Sequence, residues 1–155
     1  MIEYVDSMDR FHFDHPATLD DLYNLAKENQ IQIDEFPCTN GAMAINLYGC
    51  YFIALDPGLS MTERKERLAH ELGHCFTRGF YTIYTPAESR EWMETSACRW
   101  SYNILLPVDW INDLIRRGVE DLSYSIDDLG LSSGFVNDAL EYYRKCHLLI
   151  NPPND

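Results

Sequence analysis

Two histidines four residues apart, with a glutamate beside the first, are the residues of this chain best suited to chemistry. His70, Glu71 and His74 form the pattern H-E-x-x-H. In an α-helix, residues i and i+4 lie on one face, so the two imidazoles can bind one metal ion. Glu71 can reach a water at that ion and act as its base. The spacing therefore predicts a zinc site of the peptidase kind, with His70 and His74 as ligands and Glu71 as the catalytic residue.

A second predicted helix offers the third protein ligand that a catalytic zinc commonly needs. Glu94 begins a helix face that includes Ala97, Cys98 and Ser101. Because small side chains let another helix approach closely, Glu94 can meet the two imidazoles across a helix pair. We predict Glu94 as the third metal ligand, with Glu91 on the same helix as the runner-up.

The sequence also predicts the elements that carry these residues. Ser60 and Glu63 have the spacing of a capping box, which predicts a helix over residues 61–78 that contains the H-E-x-x-H pattern. The second helix is predicted over residues 87–105 and is ended by Pro107. An earlier helix is predicted over residues 18–29.

Three short stretches between the helices predicted over residues 18–29 and 61–78 have the character of strands. Ile31 and Ile33 alternate with polar residues, and residues 42–47 and 50–55 flank a turn at Tyr48-Gly49. We expect an α+β fold in which a small antiparallel three-stranded sheet packs on a zincin-like helix pair.

The C-terminal part of the chain is predicted to be helical. Short helices are expected near residues 109–117, 125–129 and 134–146, and the last two resemble a helix-turn-helix. We expect residues 1–107 to form a zinc metallopeptidase core and residues 108–155 to form a helical extension packed on it as one compact unit.

The composition excludes several classes of function. The chain has 12 basic and 25 acidic residues, a formal net charge of −13, which would repel the phosphates of nucleic acid and attract a basic partner. Its five cysteines contain no C-x-x-C pair, and neither a signal peptide nor a membrane span is apparent. These features predict a cytoplasmic protein with reduced thiols, without direct nucleic acid binding and without membrane association.

Two motifs together resemble the ImmA/IrrE family of metallopeptidases. The first is the run from Leu68 to His74, and the second is Glu94-x-x-Ala97-x-x-Trp100, followed by Leu-Leu-Pro at residues 105–107. The chain departs from the family pattern at Cys98, where asparagine or aspartate is usual, and at Ser101, where alanine is usual.

This resemblance implies a specific function. In such proteins the two histidines and the second-helix glutamate bind zinc, and the glutamate of H-E-x-x-H polarises water. Members commonly lie in prophages and mobile elements, where they relieve repression by cleaving a helix-turn-helix repressor. The resemblance thus implies a zinc-dependent endopeptidase in the cytoplasm of a bacterial host cell, with a basic repressor as its protein substrate.

Two further interpretations stay open. Tyr81 and Tyr84, between the ligand helices, are candidates to donate a hydrogen bond to a developing oxyanion or to contact substrate, or else are aromatic residues of a surface lid. The alternative function is a zinc-stabilised anti-repressor module that binds its partner without cleaving it.

Overall fold

A computed structural model describes residues 14–152, apart from the side chains of residues 119–121, and these residues form six helices and one three-stranded sheet. The predicted α+β class is confirmed. The elements are α1 Leu19–Glu28, β1 Gln32–Glu35, β2 Ala42–Leu47, β3 Cys50–Leu55, α2 Met61–Thr77, α3 Ala87–Leu105, α4 Val108–Arg117, α5 Val119–Asp127 and α6 Ser133–Lys145.

The sheet has the strand order β1-β3-β2 and contains one tight hairpin. β2 and β3 pair antiparallel, and the turn residues Tyr48 and Gly49 have φ angles of 53° and 87°. Positive φ at both positions is typical of a type I′ turn, whose twist matches that of the flanking strands. The hairpin leaves β2 at one edge of the sheet.

β1 pairs with the opposite edge of β3 and runs parallel to it. The expectation of a wholly antiparallel sheet is therefore wrong, and the sheet is mixed. The chain reverses between β1 and β2, where Gly41 has a φ of 83°, and reverses again at the hairpin, so β3 regains the direction of β1. Alternating hydrophobicity indicates which face of a strand is buried, but it does not specify the direction of the neighbouring strand.

α2 begins where the capping pattern predicts. The Glu63 N–H donates to the Ser60 hydroxyl at 3.2 Å, and the Ser60 N–H donates to the Glu63 carboxylate at 2.8 Å. These bonds satisfy two N–H groups that have no partner within the helix. After Thr77 the chain turns at Arg78, whose φ is 55°, into the loop that leads to α3.

α2 and α3 pack against each other, and α2 also packs against β2, β3 and α1. Ala97 and Ser101 of α3 are buried, as the small-residue face predicted. Leu68 and Leu72 of α2 and Leu105 of α3 lie in the same core cluster as the buried residues of the sheet. The helix pair is therefore held rigidly on one side by the core, which fixes the positions of the residues on its other side.

The helices α4 to α6 enclose a second cluster of buried side chains, formed by Leu106, Ile111, Ile115, Ile126, Ala139 and Tyr143. The helix predicted near residues 125–129 begins earlier, at Val119, directly after Gly118 with its φ of 128°. Leu122 and Ile126 explain the difference, because their spacing of one helical turn lets both pack into this cluster.

Hydrogen bonds join α2 to the segment between α5 and α6. The Thr62 hydroxyl donates to the Gly130 carbonyl and the Lys65 ammonium to the Leu129 carbonyl, each at 3.0 Å. The segment between α5 and α6 is thus bonded to the H-E-x-x-H helix itself. The division at residue 107 into a core and an extension stays a prediction. None of the helices in residues 14–152 is long and apolar enough to span a bilayer.

Candidate active site

α2 presents both histidines and Glu71 towards one cavity of about 630 Å³. His74 and Glu71 are 6% and 8% exposed, and the His70 side chain is 21% exposed, so all three side chains are largely removed from water. The predicted helix spacing places the two imidazole rings edge to face, with their centroids 4.7 Å apart. The rings therefore meet at their Nε2 atoms, which lie 3.1 Å from each other.

α3 brings the Glu94 carboxylate to the same point. Its two oxygens lie 3.0 Å from His70 Nε2 and 3.2 Å from His74 Nε2. Among the described residues, these three side chains form a group able to hold a metal ion. Glu91, the runner-up, is exposed on α3 and does not belong to this group.

The donor set fits a tetrahedral metal. In a tetrahedral site, bonds of about 2.0–2.2 Å to zinc place neighbouring ligand atoms about 3.3–3.6 Å apart, close to the separations of 3.0 to 3.2 Å in this site. His74 Nδ1 donates to the Gly79 carbonyl at 2.8 Å, which leaves the lone pair of its Nε2 directed at the group. Burial, followed by the nearby His74, lowers the pKa of His70 and favours the neutral imidazole that metals bind.

Glu94 is ionised in this setting. Burial alone would raise its pKa, but the Tyr81 hydroxyl and the two imidazoles lower the pKa below its ordinary value. The Tyr81 hydroxyl donates to a Glu94 oxygen at 2.6 Å. Tyr81 thus contacts a candidate metal ligand directly, and it also lines the cavity.

Glu71 lies beside this group without belonging to it. Burial, and then the negative charge of Glu94, raise the pKa of Glu71 to about 7, although the N–H of Ala44 donates to its carboxylate. A carboxyl group with a pKa near neutrality can both accept and release a proton, as a general acid–base catalyst must.

Tyr84 does not line this cavity. Its side chain is 88% exposed on the loop between α2 and α3. The loop is held by short-range hydrogen bonds, in which the Thr82 N–H donates to Thr85 and the Tyr84 N–H donates to Thr82. A contact between Tyr84 and a protein substrate stays a prediction.

Sequence reasoning missed three contacts of the site. The Gly79 carbonyl and the Ala44 N–H are backbone groups, for which the sequence gives no signal. The third contact is that of Cys98, whose Sγ lies 3.7 Å from His70 Nδ1. Its position four residues after Glu94, on the same helix face, was the signal available.

Comparison with known proteins assigns the domain. Residues 26–141 match the family model described as Peptidase_M78, the IrrE N-terminal-like domain. Comparison with curated proteins and with solved structures found no match. The match covers most of the chain, includes both ligand helices, and agrees with the ImmA/IrrE resemblance of the motifs. The chain therefore belongs to the Peptidase_M78 family and carries a zincin-like metallopeptidase domain, with a candidate metal site at His70, His74 and Glu94.

Proposed function

We propose that this protein is a zinc-dependent endopeptidase that cleaves a basic helix-turn-helix repressor and so relieves repression in a prophage or mobile element. The observation that carries the proposal is the convergence of His70, His74 and Glu94 within 3.2 Å, with the buried carboxyl of Glu71 beside them. Structural zinc sites usually have four protein ligands, whereas three ligands and an adjacent base suit catalysis.

The mechanism assigns a role to each side chain. His70, His74 and Glu94 would hold zinc, which when bound supplies a Lewis acid for the scissile carbonyl and lowers the pKa of water. Glu71 accepts the proton of the attacking water and passes it to the leaving amine. Tyr81 donates its single hydroxyl proton to Glu94 and so keeps that carboxylate ionised; to donate to an oxyanion it would first have to leave Glu94.

The substrate class follows from the resemblance and is supported by charge. A net charge of −13 attracts a basic protein over long range and speeds its encounter with the cleft. DNA-binding repressors are basic because they contact phosphates. The preferred candidate substrate is a small helix-turn-helix repressor encoded beside this protein's gene.

Co-expression with that repressor tests the proposal. The parent chain should cleave the repressor, and Glu71→Gln should slow cleavage by about 100-fold or more, because general acid–base catalysis commonly contributes that much. Glu88→Gln is the matched control, because Glu88 is an exposed residue in the first turn of α3. This variant should cleave the repressor as fast as the parent. If Glu71→Gln leaves the repressor intact yet relieves repression as well as the parent, the protein acts by binding, as the non-proteolytic alternative holds.

A further inference from the structure

The candidate active site extends into a second cavity of about 680 Å³. Both cavities are lined by Thr39, Asn40, Arg67 and His70, so they meet at the candidate ligand His70. The second cavity runs from there towards the C-terminal helices, where Phe135 forms part of its wall. The two cavities together form a cleft with room for a peptide on either side of the candidate metal site.

Arg67 lies at the junction of the two cavities. It precedes Glu71 by one helical turn and is therefore on the same face of α2 as the catalytic residues. Its side chain is exposed, in contrast to the buried Glu71. A planar guanidinium in this position can bind a carboxylate with two parallel hydrogen bonds.

The two acidic residues that line the second cavity with Arg67 accept hydrogen bonds from other groups. The Glu63 carboxylate accepts the Ser60 N–H at 2.8 Å in the capping box of α2. The Glu66 carboxylate accepts both the N–H and the hydroxyl of Ser132, at 2.5 and 3.1 Å. Within the described residues, no carboxylate forms an ion pair of 4.0 Å or less with the Arg67 guanidinium.

The other two basic side chains in the first half of α2 have fixed partners outside the cleft. Arg64 forms an ion pair with Glu35 of β1 at 3.0 Å, and Lys65 donates to the Leu129 carbonyl. Neither residue lines the two cavities. Of these three basic residues, Arg67 is the one that lines the cleft.

We propose that Arg67 is a specificity-determining residue that binds an aspartate or glutamate side chain of the peptide, close to the scissile bond. This inference rests on the proposed peptidase function, because that function is what makes the ligand a peptide. A preference for an acidic side chain is compatible with a basic substrate protein. The net negative charge of this protein attracts the whole substrate over long range, whereas Arg67 binds one side chain at contact distance. The substrate would therefore be a basic protein with an acidic residue at its cleavage site.

This inference can be tested by selecting, from a library of random displayed peptides, those that bind the protein. The measurement is of binding and does not depend on cleavage. The bait is the Glu71→Gln variant with added zinc, and the enriched peptides should contain aspartate or glutamate at one position. Adding Arg67→Glu should weaken the binding of these peptides about tenfold or more, since hydrogen bonds between charged groups are involved. Arg67→Lys should weaken binding less than Arg67→Glu, because it keeps the charge but loses the bidentate geometry.

Arg116→Glu is the matched control, because it changes the net charge equally at an exposed position of α4 that lines neither cavity. Enrichment without acidic residues, no enrichment at all, or equal losses in Arg67→Glu and Arg116→Glu would each overturn the role of Arg67. Cleavage of the enriched peptides by the parent chain tests the proposed function separately. If acidic peptides bind through Arg67 and are not cleaved, the inference holds and the proposed peptidase function fails.

Discussion

Gly73 of α2 faces the backbone of Ala97 in α3, where the two ligand helices are in close contact. A Cβ atom built on Gly73 would lie 2.7 Å from the Ala97 carbonyl oxygen and 3.0 Å from its Cα. Both contacts involve backbone atoms, which cannot rotate away as a flexible side chain could. The absence of a side chain at residue 73, between Glu71 and His74, therefore sets the helix separation at which Glu94 reaches the imidazoles.

Gly73→Ala should lower both stability and metal affinity. The added methyl group forces the helices apart, and overpacking of this kind costs about 1–3 kcal/mol in the free energy of unfolding. Thermal unfolding and zinc titration of the same samples would measure the two effects. Gly134→Ala is the control, since a Cβ at that position in α6 meets no atom within 4 Å. Equal zinc affinities in the parent and Gly73→Ala would contradict the role given to this contact.

The candidate metal site could be predicted because helix periodicity brings its side chains together. One turn separates His70 from His74, and the stripe of small residues after Glu94 indicated a close helix neighbour. The spacing of the histidines and the stripe of small residues are both local in the sequence. The capping box at Ser60 also predicted the start of the helix that carries the histidines.

The remaining features depend on contacts between distant parts of the chain. Whether β1 lies parallel or antiparallel to β3 is decided by the path between them, which the alternation of Ile31 and Ile33 does not encode. The hydrogen bond from His74 to the Gly79 carbonyl could not be predicted, because every residue has a backbone carbonyl and its residue type gives no signal. The exposed position of Arg67 in the cleft follows from the placement of α6 and the 37–41 loop, both remote in sequence.

Removal of metal should destabilise the protein. The two Nε2 atoms lie 3.1 Å apart beside an ionised carboxylate, an arrangement that a bound cation stabilises. A metal at 100 times its dissociation constant adds about 2.7 kcal/mol of stability. A chelator should therefore lower the unfolding temperature, and added zinc should restore it. In Glu94→Gln the response to zinc should be much smaller, and an undiminished response would exclude Glu94 as a ligand.

Cys98 should contribute to metal affinity by orienting His70. Its Sγ lies 3.7 Å from His70 Nδ1, so it can accept the N–H of that ring and hold Nε2 towards the metal. Loss of such a partner commonly weakens metal binding by about 10- to 100-fold. Competition with a chromophoric zinc chelator should reveal this loss in Cys98→Ala. Cys98→Asn should recover it, because an amide oxygen is a stronger acceptor than sulfur.

The exposed Cys146, at the end of α6, provides the control for Cys98. Cys146→Ala removes a thiol that has no contact with the candidate metal site, and it should leave zinc affinity at the parental value. If Cys98→Ala also binds zinc as tightly as the parent, His70 is oriented by packing alone.

Glu66 should hold the C-terminal helices against the catalytic helix. Its carboxylate accepts two hydrogen bonds from Ser132, immediately before α6 begins, and α6 supplies Phe135 to the wall of the second cavity. Glu66→Ala leaves the Ser132 N–H without this partner and should lower the free energy of unfolding by about 1–3 kcal/mol. Hydrogen exchange should also become faster around residues 129–135, because this segment loses its contact with α2. Glu141→Ala removes a solvent-exposed ion pair with Lys145 and should change stability much less than Glu66→Ala does. If exchange near Ser132 is the same in both variants, the C-terminal helices are held by their apolar contacts, and the second cavity keeps its shape without Glu66.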